Sequence, residues 1–94
     1  LKVYWTRRAK RHLQAIYDYI AEDSLSAAKE VADKITSRSK QIASFPLSGR
    51  KVPHLNRENI RELIEGNYRI VYHLIEDRAD VIAVIHSARN TLLG

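Results

Sequence analysis

The sequence predicts an α+β fold: a strand, a helical hairpin, then a three-stranded antiparallel meander. Two helices would pack on one face of a mostly antiparallel sheet. Three observations carry this. Apolar residues recur at helical spacing between residues 6 and 44. Gly66-Asn67 separates two β-rich runs, as in a tight hairpin. Residues 81–85, Val-Ile-Ala-Val-Ile, form an unbroken apolar run of strand length, expected of a central strand covered on both faces.

The elements follow in order. Residues 2–5, Lys-Val-Tyr-Trp, are β-prone and short, and read as a first strand. Thr6 can cap a helix. Ala9, Leu13, Ile16, Tyr17 and Ile20 then share one helical face, with Arg7, Arg8, Arg11 and Gln14 opposite. This helix should end near Asp23. A second helix should start at Ser24 or Ser26, with Ala28, Val31, Ala32, Ile35 and Ile42 as its apolar stripe. Small alanines permit close helix approach, and the short connection favours an antiparallel pair. Pro46 stops the second helix and holds Phe45 extended. Gly49 is expected to give freedom for a turn. Residues 51–59 read as loop. Residues 60–65 and 68–75 make the hairpin, residues 76–79 a polar turn, and residues 80–87 the last strand.

The composition limits function. The 94 residues fit one domain, residues 1–94. Cysteine is absent, which excludes disulfides and thiolate metal sites and fits a reducing cytoplasm. No apolar run is long enough for a membrane span. The basic start has no apolar stretch after it, so no signal peptide is expected. Sixteen Lys and Arg against eleven Asp and Glu leave a charge of +5. That excess favours an anionic partner, although solubility alone accounts for such a charge in many domains. Arg7, Arg8, Lys10 and Arg11 open the first helix, where positive charge opposes the helix dipole. By default they are a solvated face; their placement adds weak support for an anionic partner. The four histidines have no metal-ligand spacing. There is no Gly-rich phosphate loop, nucleophile elbow or carboxylate dyad. A self-sufficient enzyme, a cofactor and a metal are therefore not expected.

The turn also sets a register. With Glu65 opposite Tyr68, Ile64 faces Arg69, Leu63 faces Ile70 and Glu62 faces Val71. Tyr68, Ile70, Tyr72 and Leu74 then share one face with Leu63. Arg69, Val71, His73 and Ile75 share the other with Glu62 and Ile64. Arg69 and Glu62 become diagonal neighbours and can form an ion pair.

Four motifs occur in sequence. They are Phe45-Pro46-Leu47-Ser48-Gly49-Arg50, Arg61-Glu62-Leu63, Gly66-Asn67-Tyr68-Arg69-Ile70-Val71-Tyr72, and Val84-Ile85-His86-Ser87-Ala88-Arg89. Their order and spacing resemble the RelE/ParE superfamily of bacterial toxins, ParE branch. The segment Ile16-Tyr17-Asp18-Tyr19-Ile20-Ala21 resembles the family's first helix. The resemblance implies a cytoplasmic toxin of a type II toxin–antitoxin system of the plasmid-stabilisation type. A cognate antitoxin would neutralise it with a segment that folds on binding. ParE-type toxins poison DNA gyrase by binding it; RelE-type toxins cut mRNA on the ribosome. The ParE reading leads. The RelE-type nuclease is the alternative, and a member that only binds antitoxin is a third.

The residues divide between these readings. For a RelE-type nuclease, Arg69 and Arg89 match two phosphate-stabilising arginines, with Glu62 and His86 as candidate acid–base groups. The family's lysines are unmatched, since Ile60 and Glu62 stand at the closest positions, and its late tyrosine is missing. Each residue also has a plain structural role open to it. Arg69 can simply pair with Glu62, and His86 can be a hydrogen-bonded strand end. Arg50, Arg61, Arg69 and Arg89 are the candidates for target or anion contact. Leu13, Tyr17, Ile20, Val31 and Ile35 are the candidates for antitoxin contact along the helical hairpin.

Overall fold

Hydroxyl side chains start both long helices. Thr6 accepts a hydrogen bond from Ala9 N–H and Ser24 one from Ala27 N–H, each at 3.1 Å. In the computed structural model, which describes residues 1–88, the order is β1 (Lys2–Trp5), α1 (Arg7–Ala21), α2 (Leu25–Ser39), α3 (Gln41–Ser44), β2 (Arg50–Lys51), β3 (Ile60–Glu65), β4 (Tyr68–Ile75) and β5 (Arg78–His86). The five strands lie in the order β1-β5-β4-β3-β2. Among the described residues only β1 runs parallel to its neighbour, pairing with β5 from Lys2↔Arg78 to Trp5↔Val81; the other pairs are antiparallel. The α+β architecture is the one the sequence predicts. α1 lies over β5, and α2 over β3 and β4.

The structure departs from expectation in four places. The second helix breaks at Lys40, so Ile42 belongs to the short α3, where it is fully buried. Residues 50 and 51, expected at the edge of a loop, pair with β3 as Arg50↔Glu62 and Lys51↔Arg61. The turn after β4 needs only Glu76 and Asp77, with Glu76 in the left-handed region at φ 53°. β5 consequently starts at Arg78 and brings Ala79 into the core.

The fourth departure is a register shift in β5. Val71 pairs with Ala83 but Tyr72 pairs with Val81, leaving Ile82 as an extra residue. Strict alternation would put Val81, Ala83 and Ile85 on one face. The bulge resets the phase. Ala79, Val81 and Val84 join the helix-side core with Ala9, Ile35, Ile42, Leu63, Ile70 and Tyr72. Ile82, Ala83 and Ile85 join Val52, Ile60 and Val71 on the opposite face. The continuous apolar run thus serves two cores.

The same stretch of β5 is tied to α1. Nδ1 of His12 accepts a hydrogen bond from Val84 N–H at 3.1 Å. That nitrogen must be unprotonated, so the ring proton sits on Nε2. Burial, then Arg8 and Arg11, hold the His12 pKa below its usual 6.5. The unfolded chain therefore binds this proton more readily than the folded one. Stability should be intact above pH 6.5 and fall as the pH drops through that value. Urea unfolding at a series of pH values measures this. His12→Gln, which can still accept from Val84 N–H but does not titrate, should flatten the acid limb.

Candidate functional site

The β3–β4 hairpin positions the candidate site. Gly66 takes φ +57° while Asn67 stays at negative φ, the sign pattern of a type II′ turn. The register runs Glu65↔Tyr68, Ile64↔Arg69, Leu63↔Ile70 and Glu62↔Val71, as the turn predicts. Glu62 and Arg69 accordingly share the face away from the helices.

There they form a cluster with Arg50. Nε of Arg50 donates to Oε2 of Glu62 at 2.6 Å, and Nη1 of Arg69 to Oε1 at 3.4 Å. Glu62 and Arg69 are buried. Arg50 leaves 60% of its side chain exposed, so it is the member of the cluster that an outside anion can reach. One buried carboxylate between two guanidiniums leaves the cluster with a net charge of +1; the attraction of each arginine for Glu62 offsets part of the cost of burying Glu62 and Arg69. Both carboxylate oxygens accept from an arginine and the side chain is fully buried, which leaves a substrate hydroxyl no access to Glu62.

The other candidates lie elsewhere. Arg61 is on the helix side, opposite Tyr72. It donates to the carbonyl of Gly49 at 2.9 Å and that of Glu58 at 3.2 Å, so its guanidinium secures loops. His86 pairs across the sheet with Tyr68, their rings edge-to-face at 5.5 Å. That places it on the helix side, away from Glu62 and Arg69. Its Nδ1 accepts from Ala88 N–H at 3.2 Å. Arg89 lies outside the described residues. The structure therefore unites Arg50, Glu62 and Arg69 and separates them from Arg61 and His86.

The hydroxyl of Tyr72 ties the loop before Arg50 to the core. It donates to Pro46 C=O at 2.7 Å and accepts from Gly49 N–H at 3.0 Å. Burial pushes its pKa above the usual phenol range. Gly49 is required here for space. A Cβ at this position would lie 2.5 Å from the Tyr72 hydroxyl and 2.8 Å from Glu62 C=O. The expected conformational freedom is not what this glycine supplies.

On the helical side, a groove of about 370 Å³ is lined by Trp5, Lys10, Leu13, Gln14, Tyr17 and residues of α2. Of the antitoxin candidates, Leu13 and Tyr17 line it. Leu13 and Val31 pack against the core, Ile20 is half-buried and Ile35 is fully buried. In the sequence Trp5 reads only as strand, Lys10 only as part of the basic helix start, and Gln14 as lying on the opposite helix face; the groove brings all three beside Leu13 and Tyr17. The signal for Trp5 was its place immediately before the Thr6 cap, where strand hands over to helix.

Two substitutions test this arrangement. Tyr72→Phe leaves Gly49 N–H and Pro46 C=O without their partner, and should cost about 1–3 kcal/mol in urea unfolding. Glu62→Ala leaves Arg69 buried without that counter-charge, and should cost about 3–5 kcal/mol. Arg50→Ala, at the exposed end of the same cluster, should cost clearly less.

Known proteins share this fold. The model of the ParE toxin of type II toxin-antitoxin systems, parDE, matches residues 3–91. The chain is 33% identical over 89 residues to toxin RelE2 of Caulobacter vibrioides, covering 94% of this chain and 97% of that one. It is 32% identical over 88 residues to the putative toxin Y4kP of Sinorhizobium fredii, covering 92% and 88%. Among solved structures, the chromosomal ParDE system of P. aeruginosa superposes with a TM-score of 0.76 at 20% identity, covering 92% of this chain and 95% of that one. The RelBE2 toxin–antitoxin complex of Mycobacterium tuberculosis gives 0.58 at 22% identity, covering 96% and 92%. With a family match across nearly its whole length and the fold to go with it, the chain belongs to the ParE toxin family of type II toxin–antitoxin systems.

Proposed function

We propose that this toxin inhibits DNA gyrase by binding it, without chemistry of its own, and that a cognate antitoxin relieves the inhibition. The observation that carries the reading is the state of the polar cluster. Both oxygens of Glu62 are held by Arg50 and Arg69, and His86 stands on the opposite face of the sheet. Among the described residues named for acid–base work, no pair converges on one point, as proton transfer requires. A toxin that works by contact needs no such pair. On this reading the toxin acts in the cytoplasm, where gyrase meets DNA.

The antitoxin's place is the helical hairpin. The groove has apolar walls at Trp5, Leu13 and Tyr17, with Lys10 at its side. An amphipathic segment with apolar anchors and acidic flanks fits both features.

A second reading, ribosome-dependent mRNA cleavage, draws support from the two arginines that flank Glu62 on the face away from the helices and from the relative named RelE2. Supercoiling and DNA-cleavage assays with purified gyrase and toxin separate the two. Gyrase inhibition with trapped, cleaved DNA, reversed by antitoxin, is the expected result. Supercoiling untouched by a large excess of toxin, together with mRNA cuts in a translation reaction that vanish in Arg69→Ala, would replace it with the second reading.

A further inference from the structure

The loop between α3 and β2 is held unusually firmly for a surface loop. Phe45 N–H donates to Gln41 C=O at 2.8 Å. Phe45 C=O accepts from both Ser48 N–H, at 3.0 Å, and Ser48 Oγ, at 2.7 Å. Pro46 C=O accepts from the buried Tyr72 hydroxyl. Leu47 C=O and Gly49 C=O both accept from Arg61. Gln41 Nε2 donates to Ser48 Oγ at 2.9 Å. Pro46 adds its fixed φ.

This rigid backbone presents two large apolar side chains to solvent. Phe45 is 64% exposed and Leu47 66%. Single exposed apolar residues are ordinary, but two on one immobilised turn are a preformed contact. Immobilising a loop in advance removes the ordering cost that binding otherwise carries. Cations flank it along the chain. Lys40 precedes the short helix, Arg50 and Lys51 follow the loop, and Arg61 reaches under it. The nearby carboxylates are already engaged: Glu58 with Lys51 and Arg61, and Glu62 with Arg50 and Arg69.

We propose that residues 45–48 form a preorganised docking knob by which the toxin grips its protein target. Phe45 and Leu47 enter an apolar pocket on the target, and carboxylates at the pocket rim meet Lys40 and Arg50. The proposal rests on the reading that the target is a protein. The apolar content favours protein over nucleic acid. Base stacking needs aromatic faces, and Phe45 is the single aromatic residue on the turn, beside Pro46 and Leu47. The knob is distinct from the groove lined by Trp5, Leu13 and Tyr17, so target and antitoxin contacts are separable by mutation.

The test uses the full chain and the double variant Phe45→Ser, Leu47→Ser. Both side chains are mostly exposed, so the thermal unfolding midpoint should hold and serves as the folding control. Growth arrest on induction is read in cells, and supercoiling with purified gyrase is read alongside. The variant should need at least about tenfold more protein for the same gyrase inhibition, should lose growth arrest, and should still be captured by its antitoxin. Lys40→Gln with Arg50→Gln, which keeps a donor toward Glu62, should weaken inhibition and make the remainder less salt-sensitive.

Other outcomes separate the possibilities. If the wild-type chain spares gyrase and the knob variant loses growth arrest, gyrase is wrong and the knob stands, with its target another protein. Growth arrest unchanged in the folded variant overturns the knob. Binding to a short RNA or DNA oligonucleotide that the variant loses overturns the protein assignment. Arrest retained with antitoxin rescue lost makes the antitoxin the occupant, and the proposal falls. A wild-type chain that leaves growth unchanged also overturns it, because the knob would then have no target to hold.

Discussion

The hydroxyl of Tyr72 is the group on which the arrangement of this molecule depends. A phenol at zero exposure must find partners for its oxygen. It finds them in Pro46 C=O and Gly49 N–H, a loop far away in sequence. The ring packs in the helix-side core while its tip holds the chain that leaves α3. That fixes where β2 begins, and with it the approach of Arg50 to Glu62. Gly49 is the matching constraint, since any side chain there would displace the phenol or the Glu62 backbone. Core, loop and charged cluster are thus one connected structure.

The sheet divides the labour between its faces. The helix side is largely apolar and carries the stability expected of a domain this size. The other side combines a small apolar cluster with the Arg50–Glu62–Arg69 group. The bulge at Ile82 makes this division possible, because it lets one strand send apolar residues to both faces out of alternation. It also lies near the point where β1 ends and His12 takes over a free amide of β5.

Much of this was legible in the sequence. The Gly66-Asn67 turn gave the hairpin register residue by residue, because a two-residue turn leaves little choice. From that register the Glu62–Arg69 pair followed. Thr6 and Ser24 marked the helix starts because hydroxyl caps act locally. What stayed hidden was decided at long range. The pairing of Arg50 with Glu62 depends on the loop being pulled onto Tyr72, which no local pattern records, and no glycine or proline marks the break at Lys40. The bulge needs the demands of both faces of the sheet at once. The phase it resets put His86 with Tyr68, away from Glu62. Gly49 looked like a turn residue and proved to be a spacing residue, because the crowding atom belongs to a side chain 23 positions away.

The parallel pairing of β1 with β5 carries a consequence for the order of events during synthesis. Lys2, near the start of the chain, has its sheet partner at Arg78. A nascent chain that stops short of residues 78–81 can build the helical hairpin and then the β3–β4 hairpin, but its first strand has nothing to join. Contacts so distant in sequence also form late, since closing a long loop is entropically costly. The sheet is completed only once residues 78–81 are available. Until residues 78–81 have been made, the first strand waits without its partner, and the helical hairpin that follows it has only part of its sheet to cover.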